Sequence, residues 1–399
     1  MKFIKKINEY GIKNAFKLFY NYKLEPIIAH FFKIIFSGLK IKNAIVFASH
    51  NDFDMNSGAL YEYILAHDKN KIYKLIWFVE NMRNIQLPQN VIQVPINGIC
   101  LRRYYWNSVA KYIFYDDTSV HKWKSGQIAT YLGHATRAMK NCRGKVPVPN
   151  DVDYVCSSSE HNDELMADVY ACNIEKMLHL GFPVTDLLYR RWNESSKLNI
   201  EGSYEKILIW MPTFRKSGYN AVRNDSEKIT ETGLCIFETQ KDLVRLNSFL
   251  EQQNMLLIIK LHPAQDMRVI HIPKCSNIKQ LSPEEVKKYK IDTYKLLTET
   301  SGLISDYSSI SFDYLILDRP IAYVLSDYES YKLGFAVDNP KDYMPGAYLY
   351  TKDDFYNFIS MIADGDDTEV EHRHKVRDLV AKYNDGKVSE KMVEHLSIL

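Results

Sequence analysis

After residue 42 the chain alternates short apolar runs with helical segments, and it does so twice. "AIVFAS" (44–49), "YKLIWFV" (73–79), "VIQV" (91–94), "YIFYD" (112–116), "QIATYLG" (127–133) and "DYVCSS" (153–158) lack the polar alternation of a half-solvated strand, so they read as strands buried on both faces. "SGALYEYILAH" (57–67), "NSVAKY" (107–112) and "SEHNDELMADVYA" (159–171) carry helical spacing, the last with Ser159 as N-cap, and "KMLHLGFP" (176–183) closes this half. A polar stretch, "YRRWNESSKLNIEGSYE" (189–205), breaks the rhythm. It restarts with "KILIWMPTF" (206–214), a helix over 238–253, "MLLIIKLHP" (255–263), "NIKQL" (277–281), "GLISD" (302–306) and "PIAYVL" (320–325), then helices at 353–363 and 372–385. A βαβα succession requires parallel strands covered on both faces. The pattern predicts two Rossmann-like domains, 43–188 and 206–370, facing an interdomain cleft, with a linker at 189–205 and a C-terminal helical piece at 371–399.

A length of 399 residues suits two such domains with sizeable cores. A net charge of +2 argues against a dedicated nucleic-acid binder. The six cysteines form no C-x-x-C pair and no zinc spacing, so they read as free thiols of a reducing compartment. No metal-ligand spacing stands out. Neither G-x-G-x-x-G nor a P-loop is present, so no dehydrogenase or P-loop enzyme is indicated and no cofactor is expected. No secretory signal opens the chain, which disfavours an exported two-lobed solute-binding protein.

Residues 1–42 have another character. Nine lysines face only Glu9 and Glu25, while Phe3, Ile4, Ile7, Ala15, Phe16 and Phe19 fall near helical spacing. That is the pattern of a basic amphipathic helix on an anionic membrane surface. "IIAHFFKIIF" is too short, and too charged at His30 and Lys33, to span a bilayer. The alternative is a helix packed on the domain with its lysines solvated.

The strand exits hold the chemistry. "GLIS" delivers the chain to Asp306, Tyr307, Ser308 and Ser309, with Asp313 one turn on. A helix opening near Ser308 or Ser309 offers unpaired N–H groups and hydroxyls, which together form a phosphate seat. A capped helix without a ligand would use the same residues. "LIWMPTFR" exits to Thr213 and Arg215, "LIIKLHP" to His262, and "TYLGHATRAMK" to His134, Thr136 and Arg137. A lone histidine is usually structural, but here one follows an apolar strand in each half. His134 suits a general base, while His262 and Arg215 suit phosphate oxygens.

"SDYSSISFDYLILDRPIAYVLSDYESY" resembles the signature of the CDP-glycerol glycerophosphotransferases, the teichoic-acid primases and polymerases of Gram-positive bacteria. "GFPVTDLL" (181–188), "MPTFR" (211–215) and "KLHP" (260–263) match its other blocks in order and spacing. The resemblance spans about residues 44–350. It implies a GT-B-like fold with the active site between the domains. It also implies transfer of a polyol phosphate from CDP-glycerol or CDP-ribitol to a hydroxyl of a lipid-linked saccharide or polyol-phosphate acceptor, releasing CMP, at the cytoplasmic face of the cell membrane. It puts the base on His134 and a donor-phosphate ligand on His262. The remaining matched positions, Thr136, Thr213, Arg215, Asp306, Ser308 and Ser309, would bind substrate, with Arg137 and Asp313 beside them. Ala135 stands where the family has glycine, Arg137 where it has proline, and Leu333 where it often has arginine. Those departures bear on the acceptor and the polyol, and fit a capsule or divergent surface polymer as readily as a wall teichoic acid. A glycosyltransferase of the same fold, using a nucleotide sugar, is the alternative.

Overall fold

A computed structural model describes residues 24–117, 120–214 and 230–399. The first half forms a sheet of parallel strands: β1 (Lys42–Ala48), β2 (Lys74–Val79), β3 (Val91–Pro95), β4 (Ala110–Tyr115), β5 (Ile128–Tyr131), β6 (Tyr154–Ser157) and β7 (Met177–His179). The second forms another: β8 (Lys206–Trp210), β9 (Met255–Lys260), β10 (Ile278–Leu281), β11 (Gly302–Ser305), β12 (Ile321–Val324) and β13 (Ala347–Leu349). Their orders are 3-2-1-4-5-6-7 and 10-9-8-11-12-13, the same winding used twice. The continuous apolar runs follow from it, because helices cover both faces: in β1 the last five residues are buried, and in β9 all six.

Helices in chain order are α1 (Glu25–Ile35), α2 (Met55–His67), α3 (Leu101–Val109), α4 (Asp163–Tyr170), α5 (Gln240–Gln252), α6 (Pro283–Tyr289), α7 (Thr293–Leu297), α8 (Ile310–Tyr314), α9 (Lys352–Asp364), α10 (Val370–Val380) and α11 (Val388–His395). Reciprocal capping boxes start three of them: Thr239 with Asp242, Ser282 with Glu285, and Thr351 with Asp354. Each satisfies two N–H groups that the helix cannot, and each cap stabilises by roughly 1 kcal/mol. Ser159 caps as expected, but it opens a 3-10 turn that leads into α4. "NSVAKY" divides: α3 ends at Val109 and Ala110 already pairs with β1, so ladder bonding overrides the helical spacing.

The C-terminal piece does not stand apart. After α10 the chain returns to the N-terminal domain, where Met392, Val393, Leu396 and Ile398 enter a core with Phe47, Leu60 and Trp77. The Asp186 carboxylate accepts from the backbone N–H groups of Val388 and Ser389 at 2.9 and 2.8 Å, which fixes the start of α11.

Of the basic amphipathic segment, residues 1–23 lie outside the described residues. α1 docks one side on α3: Phe32 stacks on Tyr104 at 5.2 Å, and Glu25 pairs with Arg103. Its other side leaves Ile27, Phe31, Ile34 and Ile35 exposed. α1 is thus a helix packed on the domain that keeps an outward apolar face. No helix among the described residues is long and apolar enough to cross a membrane.

Candidate active site

In an open parallel sheet, ligands sit beyond the carboxyl ends of the strands where the winding reverses. In the first sheet that point lies between β1 and β4. The chain leaves β1 into His50 and β4 into Asp117, and His50 Nδ1 meets Asp117 Oδ2 at 3.0 Å. The bond raises the His50 pKa and lowers that of Asp117. β5 is the next strand, and it exits through Gly133 to His134.

That exit requires glycine. Gly133 has φ +79°, and a Cβ there would lie 2.7 Å from the Phe182 ring. Asn56 of α2 fixes the turn: its Nδ2 donates to the Gly133 carbonyl at 3.1 Å, and its Oδ1 accepts from Val184 N at 3.0 Å. Ser57 fastens the same helix to β4, donating from N and Oγ to buried Asp116. His134 thus stands on a braced loop. It is open to solvent, although protein surrounds it, and that crowding lowers its pKa. His50 and Lys140 lower it further, while Asp117 and Asp54 oppose the shift. A lowered pKa leaves the imidazole neutral and able to accept a proton at pH 7.

In the second sheet the winding reverses between β8 and β11, and the exits there carry Thr213 and Asp306. Buried Asp306 accepts from Thr213 N at 2.9 Å and from Thr213 Oγ1 at 2.6 Å, joining the two exits. His262, beyond β9, is exposed and lies 4.9 Å from the Phe214 ring. Its Nδ1 accepts from Ala264 N at 3.0 Å, which leaves the ring proton of the neutral form on Nε2, a donor suited to an anion. Ser308 and Ser309 are half-exposed just before α8, and neither hydroxyl bonds a described residue. α8 has only five residues, so its dipole adds little to those hydroxyls. Arg215 lies outside the described residues.

Thr136 and Asp313 meet, but with each other. Asp313 Oδ1 accepts from the Thr136 hydroxyl, and its Oδ2 from the Tyr294 hydroxyl at 2.6 Å. Asn384, from the returning C-terminal segment, donates to Thr136 Oγ1 at 2.9 Å. All four are buried, so they bind the domains together. Arg137 is buried as well; it donates to Asn162 at 2.7 Å and lies over the Tyr343 ring at 4.3 Å. Beyond them residues 139–141 pair with 334–336, through Ala336 N to the Met139 carbonyl at 2.9 Å and Asn141 N to the Gly334 carbonyl at 3.1 Å. Loops from the carboxyl ends of both sheets therefore meet.

His50, Asp117 and Asn56 escape a sequence reading. Their residue types were visible at strand exits and a helix start, but only strand order reveals that His50 and Asp117 flank the reversal.

Paired doubly wound parallel sheets, joined through loops at their carboxyl ends, define a two-domain α/β protein. Residues 30–397 match the model of the family described as CDP-glycerol:poly(glycerophosphate) glycerophosphotransferase, and the chain belongs to that family. It is 26% identical over 318 residues to teichoic acid ribitol-phosphate polymerase TarK of Staphylococcus aureus, covering 72% of this chain and 56% of that protein. It is 26% identical over 258 residues to teichoic acid glycerol-phosphate primase of Bacillus subtilis, covering 63% and 59%. The chain thus spans about three-fifths of the length of these two relatives. The solved wall teichoic acid polymerase TagF shares the fold, with a TM-score of 0.73 at 20% identity over 92% of each chain.

Proposed function

We propose that the protein transfers a polyol phosphate, glycerol phosphate in the first instance and ribitol phosphate as the other candidate, from a CDP-polyol to a hydroxyl of a lipid-linked acceptor. The support is family membership together with a solvent-open histidine of lowered pKa on a braced loop. The two sheets act as the halves of a GT-B-type enzyme. His134 accepts the proton of the acceptor hydroxyl, whose oxygen attacks the phosphorus that bears the polyol. The P–O bond to CMP breaks, and CMP leaves with the electron pair. His262, Arg215, Ser308 and Ser309 hold the diphosphate, with Thr213 and Asp306 shaping that seat. Thr136, Arg137 and Asp313 act on the substrate through the shape of the interdomain junction. Electrostatic positioning supplies most of the rate, as in other phosphoryl transfers.

A lipid-linked acceptor requires the enzyme at the bilayer. The outward face of α1, with the basic residues before it, makes it a peripheral protein of the cytoplasmic membrane face, in teichoic-acid or capsule synthesis. The test is incubation with CDP-glycerol or CDP-ribitol and a prenyl-diphosphate-linked acceptor. CMP release coupled to acceptor growth is expected. Turnover of UDP- or CMP-sugars instead would establish a nucleotide-sugar glycosyltransferase.

A further inference from the structure

Lys260 ends β9 and is only 8% exposed, yet its ammonium makes no hydrogen bond or ion pair among the described residues. Burial alone pushes its pKa down to about 8, so at neutral pH most of it still carries a charge. A largely buried ammonium without a protein partner is costly, so Lys260 is suited to an anionic ligand.

Strand alternation shows which way Lys260 points. Leu256 and Ile258, four and two residues back, belong to a core that includes Ala59, Met139 and Leu187 of the N-terminal domain. Leu257, Ile259 and Leu261 belong to a core built by the C-terminal domain alone. Lys260 therefore lies on the face turned to the N-terminal domain, at the carboxyl edge of the sheet. Leu261 still bonds to the Leu281 carbonyl, so the alternation continues and His262 follows on the same side.

A second orphan lies level with it. Ile259 and Ile304 both pair with Trp210, so Lys260 and Ser305 stand on either side of Met211. Leu303 shares the interdomain core and Ile304 does not, so Ser305 faces the same way as Lys260. The Ser305 hydroxyl is fully buried and has no hydrogen-bond partner among the described residues. The two groups are two strand spacings apart, about 10 Å. They flank β8, at the reversal of the winding, where a diphosphate would lie.

We propose that Lys260 is a further donor-binding residue, whose ammonium neutralises the nucleotide-side phosphate of the CDP-polyol and, after transfer, the CMP that departs. This rests on the transferase reading above. As the acceptor oxygen bonds to the polyol phosphorus, the breaking P–O bond leaves its electron pair on the CMP oxygen, where Lys260 meets the growing charge. His262 serves the same diphosphate from the adjoining turn.

Titration calorimetry of Lys260→Met with CDP, cytidine and inorganic pyrophosphate at pH 7 tests this, beside thermal melting of the ligand-free proteins. CDP affinity falls at least tenfold, cytidine affinity is unchanged, and Lys260→Arg keeps most of the CDP affinity. Ligand-free Lys260→Met melts at or above the wild-type temperature, because an uncompensated charge has gone. Should that variant not fold, Lys260→Gln gives the same readout. CDP affinity within twofold of wild type overturns the proposal, as does a parallel loss of CDP and cytidine binding with a lowered melting temperature. If wild type turns over neither CDP-polyol but binds pyrophosphate through Lys260, the anion seat stands and the transferase reading falls. If Lys260→Met retains wild-type CDP binding and CDP-polyol turnover, the transferase reading stands alone.

Discussion

At the residue scale, His134, the base of the proposed reaction, is tuned by its neighbours. Crowding lowers the imidazole pKa and the Asp117 carboxylate partly restores it. His134→Ala should cut turnover by at least the roughly 10²-fold of a lost general base, while CDP-polyol binding stays near wild type. Near-normal turnover would remove His134 from the mechanism. The pH profile follows from the sign of the shift. A base of lowered pKa keeps its accepting form to lower pH, so the acid limb of kcat/KM should lie below the ordinary histidine value of about 6.5. Asp117→Asn removes the larger of the two carboxylate influences that raise His134, so the limb should move further to acid. A limb that stays or moves to higher pH in that variant contradicts the assignment.

At the element scale, the turn after β5 and the face of α1 make separate demands. The turn needs a residue without Cβ at Gly133, both for its φ of +79° and for the Phe182 ring. Gly133→Ala should destabilise by about 1–3 kcal/mol and displace His134, lowering kcat more than donor affinity. Chemical denaturation and steady-state kinetics read the two effects, and an unchanged kcat would show that the loop tolerates the shift. On α1, exposed Ile27 and Phe31 contribute little to the fold, being 68% and 58% accessible. Ile27→Ser with Phe31→Ser should leave the melting temperature unchanged and weaken pelleting with anionic vesicles. Salt should weaken it too, because attraction of the lysines to anionic headgroups is screened. Wild-type pelleting by the double variant would place the anchor elsewhere.

At the scale of the whole molecule, the two domains are joined by a buried polar knot. Thr136 comes from the first domain, Asp313 and Tyr294 from the second, and Asn384 from the returning C-terminal segment. Asp313→Ala would strand the hydroxyls of Thr136 and Tyr294, at about 2–4 kcal/mol. Equilibrium unfolding followed by tryptophan fluorescence should show that loss, with kcat falling as the loop behind His134 loosens. Unchanged stability would show that the knot is not what joins the domains.

Local chemistry alone decided much of this protein. Apolar runs without alternation required parallel strands covered on both sides, and their repetition required two domains. Hydroxyls, acids and histidines at strand exits are residues that a buried strand excludes, so His134 and His262 stood out. Tertiary structure decided the rest. Thr136 and Asp313 look alike whether they touch a ligand or each other, and 177 residues separate them. His50 and Asp117 became neighbours only when β1 and β4 paired, and α11 joined the first domain only because its apolar face completes that core. Lys260 opens the "KLHP" block, but its own spacing reads only as the end of a strand. Its meaning depends on which face it occupies and on its having no partner among the described residues, and sequence spacing determines neither without the register of the sheet.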